Sequence, residues 1–177
     1  MGRKGNFSTI KNILASIMIA AIITVVIFLY LFLPFQIQGN SMSPALNNGD
    51  RIIVIKKFNR KNLKRFDIIV FRNPLNTTDR VIKRIIALPG EEISIKKGTV
   101  FINGQKLFQP FLFQYGDVIF NSVNINKIKI PKNSFYLMGD NRNSSKDSRI
   151  FGPVNSKIFL GKFFFRYWNS GNTVKKT

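Results

Sequence analysis

Residues 13–33 form an uncharged run of 21 residues, interrupted only by the polar Ser16, Thr24 and Tyr30. As a helix this run would be roughly 31 Å long, enough to cross the hydrocarbon core of a bilayer. A cleaved leader has a shorter apolar stretch with a small-x-small site behind it. Here Pro34-Phe35-Gln36-Ile37-Gln38 follows instead, so the run reads as an uncleaved anchor. Beyond it the pattern changes to short apolar runs broken by turn residues. Candidate strands are 51–56, 67–71, 80–88, 92–96, 99–102, 118–121, 127–130, 134–138 and 158–167, rich in Ile, Val and Phe. Turn residues separate them, among them Asn47-Asn48-Gly49-Asp50, Pro89-Gly90, Lys97-Gly98 and Pro131-Lys132-Asn133. Asn103-Gly104, inside 99–107, predicts a hairpin. No stretch after residue 33 keeps a helical period over ten residues. The pattern predicts a cytoplasmic tail (1–12), a transmembrane helix (13–33) and a mostly β extracytoplasmic domain (34–177) whose last eight residues form a frayed polar tail.

Charge supplies the orientation. Arg3, Lys4 and Lys11 precede the apolar run, and 34–50 contains no Lys or Arg. The positive-inside rule then places the N-terminus in the cytoplasm and 34–177 on the outer face of the cell membrane, with a single pass. The chain carries a net charge of +20. Three of its 28 basic residues precede the anchor, leaving 25 against all 8 acids and a net +17 outside. Attraction to an anionic lipid bilayer, or a composition biased to Lys, Asn, Ile and Phe, accounts for that excess. Nucleic acid is not expected as a partner of a domain outside the cytoplasm.

With no cysteine and no histidine, disulfides, thiol nucleophiles, thiolate metal sites and imidazole ligands are excluded. The eight acids, Asp50, Asp67, Asp79, Glu91, Glu92, Asp117, Asp140 and Asp147, are scattered. No metal centre and no cofactor are expected.

A serine nucleophile in this chain needs a lysine or a carboxylate as its base. Ser41 stands eight residues past the anchor in Gly39-Asn40-Ser41-Met42-Ser43-Pro44-Ala45-Leu46. That stretch has turn chemistry, and the apolar Met42 and Leu46 lie within it. Taken alone, Ser41 is also what an ordinary loop serine looks like. A lysine base must be buried, because an ordinary lysine is neutral in only about one molecule in 2500 at pH 7. Half-neutralising it there takes a shift of roughly 3.4 units, about 4.6 kcal/mol, which burial among apolar groups supplies. Lys83 fits, with Val81 and Ile85 as same-face neighbours in a strand. It equally fits a lysine snorkelling from a sheet edge. Arg84, between Ile82 and Ile86, is placed as well by pattern but does not deprotonate. Ser94-Ile95-Lys96-Lys97 has Ser-x-x-Lys spacing, which shares a face only on a helix. In a strand it puts Ser94 and Lys97 on opposite faces, so it is set aside. The polar stretch from Gly139 to Arg149, Gly-Asp-Asn-Arg-Asn-Ser-Ser-Lys-Asp-Ser-Arg, is framed by apolar residues and holds acid–base pairs able to brace a loop.

Together these segments resemble bacterial type I signal peptidases, membrane-bound Ser/Lys proteases. The family's nucleophile box, Ser-Met-x-Pro-Thr-Leu, is similar to Ser41-Met42-Ser43-Pro44-Ala45-Leu46 followed by Gly49-Asp50. Its lysine box, Lys-Arg-Val-x-Gly-Leu-Pro-Gly-Asp, is similar to Lys83-Arg84-Ile85-Ile86-Ala87-Leu88-Pro89-Gly90-Glu91. Its last box, Gly-Asp-Asn-Arg-x-x-Ser-x-Asp-Ser-Arg, is matched in full from Gly139 to Arg149. The boxes come in family order behind an anchor.

The resemblance implies the mostly β fold shared by signal peptidases and self-cleaving repressors, behind one transmembrane helix. It implies Ser41 as nucleophile, Lys83 as general base and Ser145 as the group that aims the Lys83 amine. The Ser41 backbone N–H would donate to the oxyanion. Asp147 with Arg149, and Asp140 with Arg84, would be ion pairs that shape the site. Met42, Leu46 and Ile82 would line pockets for small substrate side chains. The implied substrates are secretory preproteins whose signal peptides carry small residues before the cleaved bond. The departures are Ala45, Ala87, Glu91 and Gly39, the last where some members place a serine that completes the oxyanion hole. The competing classes are a membrane-anchored basic module for lipid or polyanion, an inactive paralogue, and a relative of the self-cleaving repressor proteases. The run 158–168 reads first as a buried strand; the alternative is partial insertion into the membrane interface, and the two are compatible if each takes one face.

Overall fold

The apolar run folds as helix α1 (Lys4–Leu31), and its side chains from Thr9 to Tyr30 are all exposed. The structure is a computed structural model that describes residues 4–115 and 124–172. The two hydroxyls inside the helix are satisfied internally: Ser16 Oγ donates to the Asn12 carbonyl at 2.9 Å and Thr24 Oγ1 to the Ala20 carbonyl at 2.8 Å. That is what a helix without water around it requires. The helix stops two residues before the apolar run does. Phe32 and Leu33 open strand β1 (Phe32–Gln36) and pair with Ile55 and Val54. Strand and anchor are equally apolar here, so no change in pattern marks the boundary. The exposed carbonyls of the last turn are capped from outside. The Lys56 amide donates to the Leu31 carbonyl at 2.8 Å, and Lys56 Nζ donates to the Leu29 carbonyl.

The remaining strands are β2 (Arg51–Ile55), β3 (Ile68–Asn73), β4 (Asn76–Ala87), β5 (Glu92–Lys96), β6 (Thr99–Ile102), β7 (Gln105–Lys106), β8 (Ile125–Lys129), β9 (Ser134–Met138), β10 (Val154–Asn155) and β11 (Phe159–Trp168). One four-residue helix, α2 (Ser148–Phe151), precedes β10. A seven-stranded sheet has the order β1-β2-β11-β3-β4-β9-β10, and a four-stranded sheet the order β7-β6-β5-β8. The fold is thus mostly β behind one apolar helix, as the pattern predicts. The Asn103-Gly104 hairpin forms, with Ile102 paired to Gln105. Strand β7 is the second arm of that hairpin, whereas β1 and the two-residue β10 have no counterpart among the candidate strands. The expected strand 118–121 lies outside the described residues.

Among the described residues three apolar clusters fill the core. Ile86, Ile93, Val100 and Tyr136 join the two sheets. On one face of the large sheet Ile69, Phe71, Ile85, Leu137 and Phe159 pack together. On the other, Ile52, Val54, Val70 and Ile82 pack against Ile37, Met42 and Leu46 from the loop after β1. Strand β11 corrects one expectation. It divides along its length, not by face: Phe159 and Gly161 are buried, while Phe164, Phe165, Tyr167 and Trp168 are exposed.

Candidate active site

Strand β4 positions two buried cations on opposite faces. Lys83 stands across from Ile69 in β3 and shares a face with Val81 and Ile85. It is only 4% exposed. Arg84 stands across from Ile68 on one side and Met138 on the other, on the opposite face of the sheet.

Ser41 is brought to Lys83 by the loop between β1 and β2. The loop is closed at its base where Ile37 donates its amide to the Asp50 carbonyl at 2.8 Å, and Gly49 to the Ile37 carbonyl at 2.9 Å. Turn bonds hold its tip: the Ser43 amide to the Asn40 carbonyl at 3.1 Å, and the Leu46 amide to the Met42 carbonyl at 2.9 Å. The Ser43–Pro44 peptide is cis. Met42 and Leu46, 0% and 2% exposed, sink into the core beside Ile82 and pin the loop. All three expected pocket residues therefore fall in one cluster.

The result is a distance of 2.6 Å between Lys83 Nζ and Ser41 Oγ. A protonated amine donates in that contact; a neutral amine accepts from the hydroxyl. Burial pushes the Lys83 pKa down from 10.5 to about 8, Asp147 and Asp140 pull it partly back up, and Arg149 pushes it down. Relative to an ordinary lysine, that raises the neutral fraction at pH 7 by about 300-fold.

The polar stretch after β9 closes the site from the other side. The Asn141 amide donates to the Ser41 carbonyl at 3.1 Å. Gly139 is the point of closest approach: a methyl group there would overlap both Ser145 Oγ and the Ser41 carbonyl oxygen. Asp147, fully buried, accepts from the Gly139 amide at 3.0 Å and from Arg149 through Nε and Nη2, both at 2.8 Å. Burial pushes the Asp147 carboxyl up, but the Arg149 guanidinium and the Gly139 amide outweigh it and hold its pKa below the ordinary value. Asp140, also fully buried, takes a bidentate pair from Arg84 at 2.8 and 2.5 Å. The Arg84 guanidinium also lies 4.3 Å over the Phe111 ring.

Two expected features take another form. Ser145 makes no hydrogen bond to Lys83. Its hydroxyl is buried against Gly139 and closes no bond, although the nearby Asp147 carboxylate feels it weakly. Gly39 is exposed with φ +78°, and its amide donates to Asn48 Oδ1 at 2.9 Å. A serine would be strained in that conformation. Arg142 escaped the sequence reading as a site residue. It is buried, with Nε donating to the Gly139 carbonyl at 3.0 Å and Nη2 to Gln109, so it braces the backbone beside Ser41. A buried arginine in a run of polar residues has no pattern that separates it from a solvated one. The Ser94 to Lys97 segment is a strand and its turn, as its pattern predicts.

A groove of about 540 Å³ lies between the start of the Ser41 loop and the part of β4 that precedes Lys83. Phe35, Gln36 and Gln38 line one wall, and Thr78, Asp79, Arg80 and Val81 the other. Strand β9 pairs with β4 only from Arg84 onward, so on that side 76–83 has no strand partner among the described residues.

The family profile described as signal peptidase, peptidase S26, matches residues 10–168. Signal peptidase IB of Staphylococcus aureus (strain COL) is 33% identical over 175 residues, covering 89% of this chain and 91% of that protein. Signal peptidase I of Bacillus caldolyticus is 35% identical over 161 residues, covering 85% and 87%. A crystal structure of a signal peptidase I from Enterococcus faecalis V583 superposes with a TM-score of 0.51 at 32% identity, covering 56% of this chain and 95% of that one.

Proposed function

This chain belongs to the peptidase S26 family of signal peptidases, and on that premise we propose that it is a serine endopeptidase that cuts signal peptides from secretory preproteins with Ser41 and Lys83. The observation that carries this reading is the 2.6 Å contact between a serine hydroxyl and a buried lysine that, among the described residues, has no carboxylate hydrogen-bonded to it. Neutral Lys83 takes the proton as Ser41 Oγ attacks the scissile carbonyl. The tetrahedral oxyanion accepts from the Ser41 backbone N–H, a type of contact whose loss costs about 2.7–4 kcal/mol. Lys83 then protonates the leaving amine, which departs as the mature protein's N-terminus. It next activates water against the acyl ester on Ser41. Ser145, whose hydroxyl lies against Gly139, aims the amine as it moves between these partners. Asp140–Arg84 and Asp147–Arg149 keep the loop after β9 in place.

The unpaired edge of β4 gives an extended substrate a strand to join, so main-chain bonds supply affinity. Met42, Leu46 and Ile82 back the pockets for small side chains. Helix α1, apolar and exposed on all sides, crosses the bilayer with Arg3, Lys4 and Lys11 on the cytoplasmic side. Anchoring enzyme and substrate in one membrane raises their effective concentration. The test is cleavage of a purified preprotein by the full chain. The wild-type preprotein should be cut after a small residue, and one with a bulky residue there should survive. Equal cleavage of both, or of neither, contradicts the reading.

A further inference from the structure

A second cavity, of about 640 Å³, shares no lining residue among the described ones with the groove along β4. Buried Leu63 and Phe135 and half-buried Leu88 line it, and the exposed Arg60, Lys61 and Lys132 give it three cations. Among the described residues no acidic side chain lines it. Two of those cations belong to a dense basic segment: six of the ten residues from Lys56 to Arg65 are Lys or Arg, and none is acidic.

This segment starts at the end of α1. Lys56 Nζ bonds to the Leu29 carbonyl, and Lys57 Nζ lies 4.5 Å over the Tyr30 ring. The Arg60 Cα is three residues on, so no more than about 11 Å from that of Lys57. A headgroup layer is roughly 5–8 Å deep on each side of the hydrocarbon. Arg60 therefore lies close enough to the helix end for its long side chain to turn back toward the lipid phosphates once α1 spans the membrane.

We infer that this cavity seats the headgroup of an anionic phospholipid from the outer leaflet. The phosphate is held by Arg60, Lys61 and Lys132, and the glycerol and first methylenes lie on Leu63, Leu88 and Phe135. The inference rests on the anchoring of α1, but not on the chemistry at Ser41. An acidic peptide would satisfy the same charges. Two of the cavity's three cations lie in the segment that meets the helix end, and this favours the lipid.

The test uses the full chain in phosphatidylcholine vesicles doped with a photoactivatable phosphatidylglycerol or, separately, a photoactivatable phosphatidylcholine. Labelled residues are mapped by mass spectrometry. Phosphatidylglycerol should label 60–63, 88–90 and 132–135 on the order of tenfold more than phosphatidylcholine does. The combined Arg60→Gln, Lys61→Gln and Lys132→Gln variant should lose that labelling by on the order of tenfold or more, since each basic residue near a membrane surface is worth about fivefold. The control, Lys96→Gln with Lys106→Gln and Lys129→Gln, removes the same charge at exposed positions of the smaller sheet and should lose less than about twofold. Equal loss in both variants, equal labelling by both lipids, or displacement by a soluble acidic peptide overturns the inference. Labelling of α1 alone also overturns it while leaving the anchor intact. An unlabelled α1 overturns the anchor reading as well.

Discussion

The two faces of strand β4 hold adjacent buried cations with opposite fates. Arg84 is matched by a fully buried carboxylate, two hydrogen bonds and an aromatic ring. Lys83 has a hydroxyl at 2.6 Å and apolar neighbours and, among the described residues, no carboxylate in hydrogen-bond contact. The arrangement on the Arg84 face fixes a charge; the one on the Lys83 face makes a charge easy to lose. The lesson is that burial produces a brace or a base according to whether a counter-ion is buried with it.

The largest effect should come from removing the base. Lys83→Ala and Ser41→Ala should each lower kcat by on the order of 10⁴-fold or more, and the double variant little further, because groups acting as a unit are not additive. Single-turnover cleavage of a preprotein measures this. On the other face the loss is in stability. Asp140→Ala strands Arg84 and should cost about 3–5 kcal/mol, while Arg84→Met with Asp140→Leu should recover most of it. Denaturant midpoints of the single and double variants make the comparison.

The next effect is a stability difference that depends on pH. Lys83 has its pKa lowered to about 8 in the folded protein against an ordinary 10.5. Between those values the unfolded chain holds the proton more tightly. The cost of folding around a charged Lys83 is thus fully present below about pH 8 and is relieved as pH rises toward 10.5. Wild type should gain up to about 3 kcal/mol relative to Lys83→Met across that window. Urea melts at pH 7 and pH 10 read the difference, and a constant offset between the two proteins would remove the contrast drawn here. The smallest effect should be at Ser145. Ser145→Ala should lower kcat by roughly tenfold with KM nearly unchanged, as expected for an aiming group that binds no substrate.

How much of this was legible in the sequence follows from the kind of signal each part left. The β-rich domain and its turns were readable because short Ile, Val and Phe runs are punctuated by Gly, Pro and Asn. Strand β1 was hidden because Phe32 and Leu33 continue the anchor's apolar pattern without a break. Lys83 was distinguishable from Arg84 only by chemistry, since period two gives both apolar neighbours. Its burial came from Ile69 and from the loop carrying Ser41, both distant in sequence. The ordered boxes supplied the partners that local pattern does not. The close approach at Gly139 and the burial of Arg142 depend on where the loop after β9 meets the one after β1, and no local periodicity encodes that. The exposed half of β11 likewise follows from that strand outrunning its neighbour β3 in the sheet, beyond what its alternation of residues encodes.

The most direct test of the account is kcat/KM against pH for cleavage of a preprotein, from pH 6 to pH 10. The profile should have an ascending limb with an apparent pKa near 8, set by Lys83 losing its proton, and the residual activity of Lys83→Ala should have no such limb. A profile that is flat through pH 8, or a Lys83→Ala protein that cuts as fast as wild type, would contradict it.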